Sequence, residues 1–134
     1  MLSIKGNYKK GGCDYMDKNY KKYDVVTCDL GNDVIGSEQG GIRPVLIVQN
    51  DLGNTYSPCT IVIPFSSNIK KNPNQPTHSL FKKGKSKGLT KDSMLLGECI
   101  RQISKERIIE YRGTITDKRD IAEIKRVYLA NFEC

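Results

Sequence analysis

The sequence predicts a mainly β domain ending in one helix, a compact barrel with that helix packed on it. Three observations predict it. Short β-branched and apolar runs recur at Tyr23–Leu30, Val45–Asn50 and Cys59–Ser67, bounded by glycine, proline, asparagine and aspartate. From Asp117 the apolar residues Ile121, Ile124, Val127, Tyr128 and Phe132 follow at spacings mostly of three and four, the period of an amphipathic helix. A chain of 134 residues holds one domain with a real core and would be cramped as two.

Taken in order, residues 1–22 are rich in Gly, Lys and Tyr with no sustained period and read as a flexible basic extension, leaving 23–134 as the folded domain. YDVVTCDL, Tyr23–Leu30, is the first strand, closed by the turn residues Gly31–Asp33. A glycine-rich loop follows, GSEQGGIR. Pro44, which has no N–H to give a ladder, opens the next strand, VLIVQN, whose unbroken apolar run reads as buried on both faces. Asn50–Pro58 is turn chemistry and Cys59–Ser67 a strand pairing antiparallel with the previous one. Asn68–Pro76 is a loop, Thr77–Phe81 a short strand, and the Lys/Gly-rich stretch before Ser93 an exposed loop. Ser93–Ser104 reads as one strand kinked or bulged at Gly97, with a short helix as the alternative. Lys105–Ile109 suits a helical turn and YRGTIT a last short strand. Asp117 and Asp120 stand early in the final helix, where its dipole favours acids.

Composition excludes several classes. The chain is 28% charged and 37% hydrophobic, too balanced for a disordered protein. No apolar run approaches the roughly 20 residues of a membrane helix, and the Lys-rich start lacks a signal peptide's apolar stretch. A cytoplasmic protein with no membrane partner is expected. Cysteines at 13, 28, 59, 99 and 134 form no CxxC pair, so reduced thiols are expected and no zinc site, and no cofactor or metal is implied. The net charge of +7 is unevenly spread: Lys70–Lys91 holds seven lysines and no acid. Such clusters either remain solvated or bind a polyanion through counterion release, without sequence choice.

Four stretches carry a resemblance: GSEQGGIRPVLIVQND, GNTYSPCTIVIPFSS, PTHSL and KDSMLLGECIRQISKERI. In this order and spacing, from Tyr23 to Phe132, the chain resembles the MazF/PemK family of toxin endoribonucleases, whose fold is a Src-homology-3-like barrel shared with CcdB. The resemblance implies a metal-independent, homodimeric endoribonuclease that cleaves single-stranded RNA at short sequences and is neutralised by a MazE-like antitoxin, with DNA reached only through that antitoxin. It places the family's catalytic arginine on Arg43 and its hydroxyl partner on Ser66, where many relatives have threonine. An ACA-containing pentamer is the target implied by Gram-positive relatives, although Cys99 stands where they show glutamine.

The residue types fit this chemistry. Metal-free RNA cleavage uses the ribose 2′-hydroxyl as nucleophile and leaves a cyclic phosphate, so the protein must move two protons and stabilise charge on the phosphorane. The Arg43 guanidinium matches phosphate oxygens bidentately and stays charged. Pro44 and the stiff strand behind it anchor Arg43, and Gly36, Gly40 and Gly41 before it let backbone approach closely and leave N–H groups open to a phosphate, which makes Gly40 a substrate-binding candidate. Ser37, Glu38 and Gln39 offer a hydroxyl, a carboxylate and an amide to base edges, with Glu38 a reserve base. His78 is the only histidine, which excludes a two-histidine mechanism. It reads as structural or RNA-adjacent. Lys82 and Lys83 suit an RNA-contacting loop, and Glu98 and Arg101 complete the substrate-binding set.

Two other readings compete with the nuclease: a CcdB-like gyrase poison on the same fold, and an inactive barrel that only binds RNA or antitoxin. The gyrase-poison relative relies on a tryptophan, and this chain has none.

Overall fold

The computed structural model describes residues 19–36, 38–70 and 72–133, with the backbone of two short strands, β1 (Lys9–Lys10) and β2 (Cys13–Asp14), which pair with each other. Most of the 1–22 extension therefore lies outside the described residues. Its end does not stand apart from the domain, because Tyr20 is buried among Val26, Val45 and Ile108.

The remaining strands are β3 (Asp24–Asp29), β4 (Ile42–Ile47), β5 (Cys59–Ser66), β6 (His78–Phe81), β7 (Ser93–Leu96), β8 (Arg101–Ser104) and β9 (Ile108–Thr114). They form one antiparallel sheet in the order β6-β7-β5-β4-β3-β9, with β8 also on β5. Helix α2 (Lys118–Ala130) packs on it. The pivotal strand is β5. Its first half, Cys59–Val62, pairs with β8, and its end, Phe65–Ser66, pairs with β7, which carries β6 at the edge of the sheet. The stretch 93–104, expected as one strand, is thus two strands separated by a 3-10 turn at Gly97–Cys99, with the break at the predicted glycine.

Two apolar clusters fill the two faces of the central strands. Along β4 and just beyond, Val45 and Ile47 belong to one cluster, and Leu46 and Val48 to the other. This is the period of two expected of a strand buried on both sides. Pro44 lies inside β4, not at its start; β4 pairs with β5 only from Val45 onward, so Pro44 faces β3 alone and its missing N–H breaks no ladder there to β5. Phe65 and Phe81 meet edge to face at 5.8 Å.

Asn50–Pro58 is not only turn: residues Asp51–Tyr56 form a short helix, α1. The Asn50 side chain caps it by accepting from the Gly53 amide at 2.8 Å. From below, the buried Lys105 ammonium donates to the Asn54 carbonyl, and burial lowers the Lys105 pKa. That tertiary contact holds a helix too short to persist alone.

Asp117 caps α2 through the Arg119 amide, 2.8 Å away. Ile124 and Val127 are buried as the spacing predicts, with Ile121 packed against them. Tyr128 and Phe132 are exposed instead, Phe132 because the helix has ended before it. A Cβ on Gly97 would stand 2.3 Å from Val127 Cγ1 and 2.7 Å from the Thr77 carbonyl, so the glycine lets the helix seat against the turn. No described helix is long and apolar enough to cross a membrane.

Candidate active site

The loop between β3 and β4 is closed at its base by two backbone hydrogen bonds, Leu30 N–H to Gly41 O at 2.9 Å and Gly41 N–H to Gly31 O at 2.8 Å. Gly41 holds φ at +74°, the left-handed region that favours glycine. At Gly40 an added Cβ would lie 2.6 Å from Val34 Cγ1 and 2.8 Å from the Gly31 carbonyl. The Gly-Gly pair is therefore required by the fold, and it turns the Gly40 carbonyl toward the arginine three residues later. Arg43 Nε donates to that carbonyl at 2.9 Å, and Nη1 donates to Gln39 Oε1 at 2.6 Å and to the Phe65 carbonyl at 3.3 Å. Among the described residues Nη2 has no partner.

Phe65 immediately precedes Ser66, so the bond to its carbonyl fixes the guanidinium relative to the hydroxyl. Ser66 Oγ accepts from the Asn68 amide at 3.1 Å, which leaves its own O–H free to donate. Arg43 and Ser66 line one cleft of about 400 Å³ with Ser67, Thr90, Lys91 and Arg112. No carboxylate or imidazole lines it, so an anion meets three cations and several hydroxyls.

Glu38, Gln39, Glu98 and Arg101 come together in an adjoining cavity of about 610 Å³. Gln39 joins the two, since its side chain lines the second while holding the arginine of the first. Glu38 Oε1 accepts from the Ile35 amide at 2.8 Å, and Arg101 Nη1 donates to the Leu30 carbonyl at 3.4 Å. Ser37 lies outside the described residues.

His78 lines neither cavity. It is 3% exposed, with Nδ1 3.0 Å from the Asn72 carbonyl and Nε2 2.7 Å from Glu98 Oε2. A ring held by acceptors on both sides is a structural post, and it fixes Glu98 for the adjoining cavity. Burial alone would raise the Glu98 pKa, but bonds from His78, its own amide and the Thr77 hydroxyl outweigh this and hold it below the usual range. Lys82 points into solvent 3.8 Å from Asp92, whereas Lys83 lines a third cavity, of about 660 Å³, that meets the Arg43 cleft at Leu89, Thr90 and Arg112. Sequence reasoning missed Arg112, Ser67 and Thr90 altogether.

Among the described residues no group of three His, Cys, Asp or Glu side chains has metal-holding geometry. Cys28 and Cys59 are free thiols, and burial pushes Cys28 up to about 11, where it is inert at neutral pH.

The antiparallel fold with a basic cleft places the chain in the class of small β-barrel proteins. Residues 21–130 match the family described as PemK-like, MazF-like toxin of type II toxin-antitoxin system. The chain is 48% identical over 99 residues to Endoribonuclease MazF of Staphylococcus saprophyticus, spanning 74% of this chain and 80% of that one. It is 46% identical over 90 residues to Endoribonuclease EndoA of Bacillus subtilis, spanning 67% and 75%. The chain belongs to the PemK/MazF toxin family, and by class it is an endoribonuclease. Solved structures share the fold: MazF of Deinococcus radiodurans superposes with a TM-score of 0.65 at 17% identity, covering 86% of this chain and 97% of that one. A mycobacterial endoribonuclease in complex with its cognate antitoxin gives 0.65 at 18% identity, covering 83% and 92%.

Proposed function

We propose that the protein is a sequence-specific toxin that cleaves single-stranded RNA without a metal ion, inhibits translation, and is neutralised by a MazE-like antitoxin. The observation that carries this is the immobilised Arg43 guanidinium beside the Ser66 hydroxyl in a cleft lined by cations and no acid. The ribose 2′ oxygen bonds to phosphorus and the bond from phosphorus to the 5′ oxygen breaks, leaving a 2′,3′-cyclic phosphate and a 5′-hydroxyl. Arg43 stabilises the charge building on the phosphorane, where fixed donors act most strongly. Ser66 donates to a nonbridging oxygen. The 2′ proton passes to water or to the Glu38 carboxylate of the adjoining cavity, and the 5′ oxygen takes a proton from water. Gln39, Glu98 and Arg101 face the bases beside the cut.

The protein acts in the cytoplasm as a homodimer. A basic chain favours an acidic antitoxin segment that folds on binding.

The test is incubation of purified protein in EDTA with a long single-stranded RNA, beside Arg43→Ala, with cut sites and end groups mapped. Discrete cuts ending in cyclic phosphate, absent in the variant, are expected. Intact RNA with a folded wild-type dimer, or cutting that stops in EDTA, overturns the reading.

A further inference from the structure

The ladder between β9 and β3 skips two residues of β9, Ile109 and Arg112, and Arg112 is the one of them that lines the Arg43 cleft. The register runs Val25 to Gly113 and Val26 to Tyr111, so two residues of β9 oppose one step of β3 and Arg112 is the extra residue of a β-bulge. Bulges re-aim a side chain, and they recur next to active sites. Here the bulge sends the guanidinium over β3, where Nη1 donates to Thr27 Oγ1 at 3.2 Å, while Nε donates to the Gly88 carbonyl at 2.7 Å.

This anchoring repeats that of Arg43. Each guanidinium gives Nε to a glycine carbonyl and Nη1 to a side-chain oxygen, and in each Nη2 has no partner among the described residues. Both line the same cleft. Their strands are separated only by β3, about 10 Å at two strand spacings. One phosphate needs one fork, so a second fork prepared on the same floor fits a second phosphate. Arg112 also lines the cavity that continues the cleft, together with the exposed Tyr111 ring, Lys83, Lys85 and Glu110, whose carboxylate, itself exposed, lies 3.9 Å from Arg112 Nη1. A strand leaving the Arg43 phosphate in that direction meets charge and a stacking face in turn.

We propose that Arg112 holds a phosphate neighbouring the one at Arg43, so that the cleft grips two consecutive backbone positions of the RNA. Arg112 is a positioning residue: it fixes which direction the strand runs across Arg43, and Tyr111 stacks on the nucleotide beyond. This rests on the reading of the cleft as an RNA site.

The experiment measures binding of a long single-stranded 2′-O-methyl RNA, which lacks the nucleophile, as a function of salt for the wild type, Arg112→Gln and Arg112→Lys. Each phosphate neutralised on a single strand contributes about 0.7 to the slope of log K against log salt. Arg112→Gln is expected to flatten the slope by about 0.7 and Arg112→Lys to restore it, while Arg43→Gln with Arg112→Gln removes about 1.4. An unchanged slope in Arg112→Gln overturns the inference. So does equal flattening in both Arg112 variants with a lowered melting temperature, which assigns Arg112 to holding the 84–89 loop. Wild-type protein that binds no RNA overturns it too. Salt-dependent binding without cleavage of ordinary RNA defeats the nuclease reading and leaves the second phosphate grip standing.

Discussion

Arg43 Nη1 donates to Gln39 Oε1 across 2.6 Å, and that single bond couples the cleft that holds the arginine to the cavity that holds Glu38, Glu98 and Arg101. The loop that carries Gln39 therefore also sets the angle of the Arg43 guanidinium.

Replacing Arg43 with alanine removes the fixed cation and is expected to lower kcat by at least ~100-fold, the scale of losing one preorganised donor to a transition-state oxyanion. Gln39→Leu keeps the arginine but frees one side of it, with a loss of about tenfold from misplacement. Steady-state cleavage of a mapped oligonucleotide measures both. If Gln39→Leu cuts at the wild-type rate, the tie does not organise the arginine.

Ser66 is half-buried at the end of β5 with its lone pair occupied by the Asn68 amide. Ser66→Ala is expected to cost roughly 10- to 100-fold in kcat, the lower part of the range for a lost donor. Ser66→Thr keeps the hydroxyl and narrows its rotamers, so it retains activity. Similar rates for the alanine and threonine variants would remove the hydroxyl from the chemistry.

Glu98 has its carboxyl held below the usual range, so its contribution to stability is present above the unfolded carboxyl pKa of about 4.3 and is lost as pH falls through the lower folded value. With the side chain 38% exposed, solvent screening limits that contribution to about 1 kcal/mol or less. Glu98→Gln is expected to destabilise slightly at neutral pH and to lose stability less steeply on acidification below that pH. Urea melts across the acid range measure this; parallel pH profiles for both proteins would contradict it.

Gly97→Ala drives a methyl into Val127 and the Thr77 carbonyl, and one of those neighbours is backbone. A loss of about 1–3 kcal/mol is expected from such overpacking. The change in thermal midpoint reports it, and a variant as stable as the parent would show that α2 shifts without cost.

Much of the architecture was legible because it rests on contiguous pattern. The alternation around Val45–Val48 announces a strand buried on both faces, and the run from Ile121 to Val127 announces the helix. Arg43 and Ser66 stand inside unbroken stretches and were found by them. Arg112 was not, because its place in the cleft depends on a bulge in a strand nearly 70 residues further along, and no local pattern marks a skipped ladder position. The helix α1 was read as turn since DLGNTY has no apolar period; its stability comes from Lys105 and the Asn50 cap. His78 reads from the sequence as either structural or RNA-adjacent, and its bonds to Asn72 and Glu98 favour the structural reading.

The last strand joins the sheet where β9 meets β3, at Asp24 and Thr114, ninety residues apart in the chain. Pairings of that span form late, because loop closure must precede any reward from contact. Arg43 and Ser66 come from neighbouring strands, but Arg112 joins them only when the last strand is in place. A ribosome making this chain therefore exposes nearly all of it before Arg112 can join Arg43 and Ser66 in one cleft.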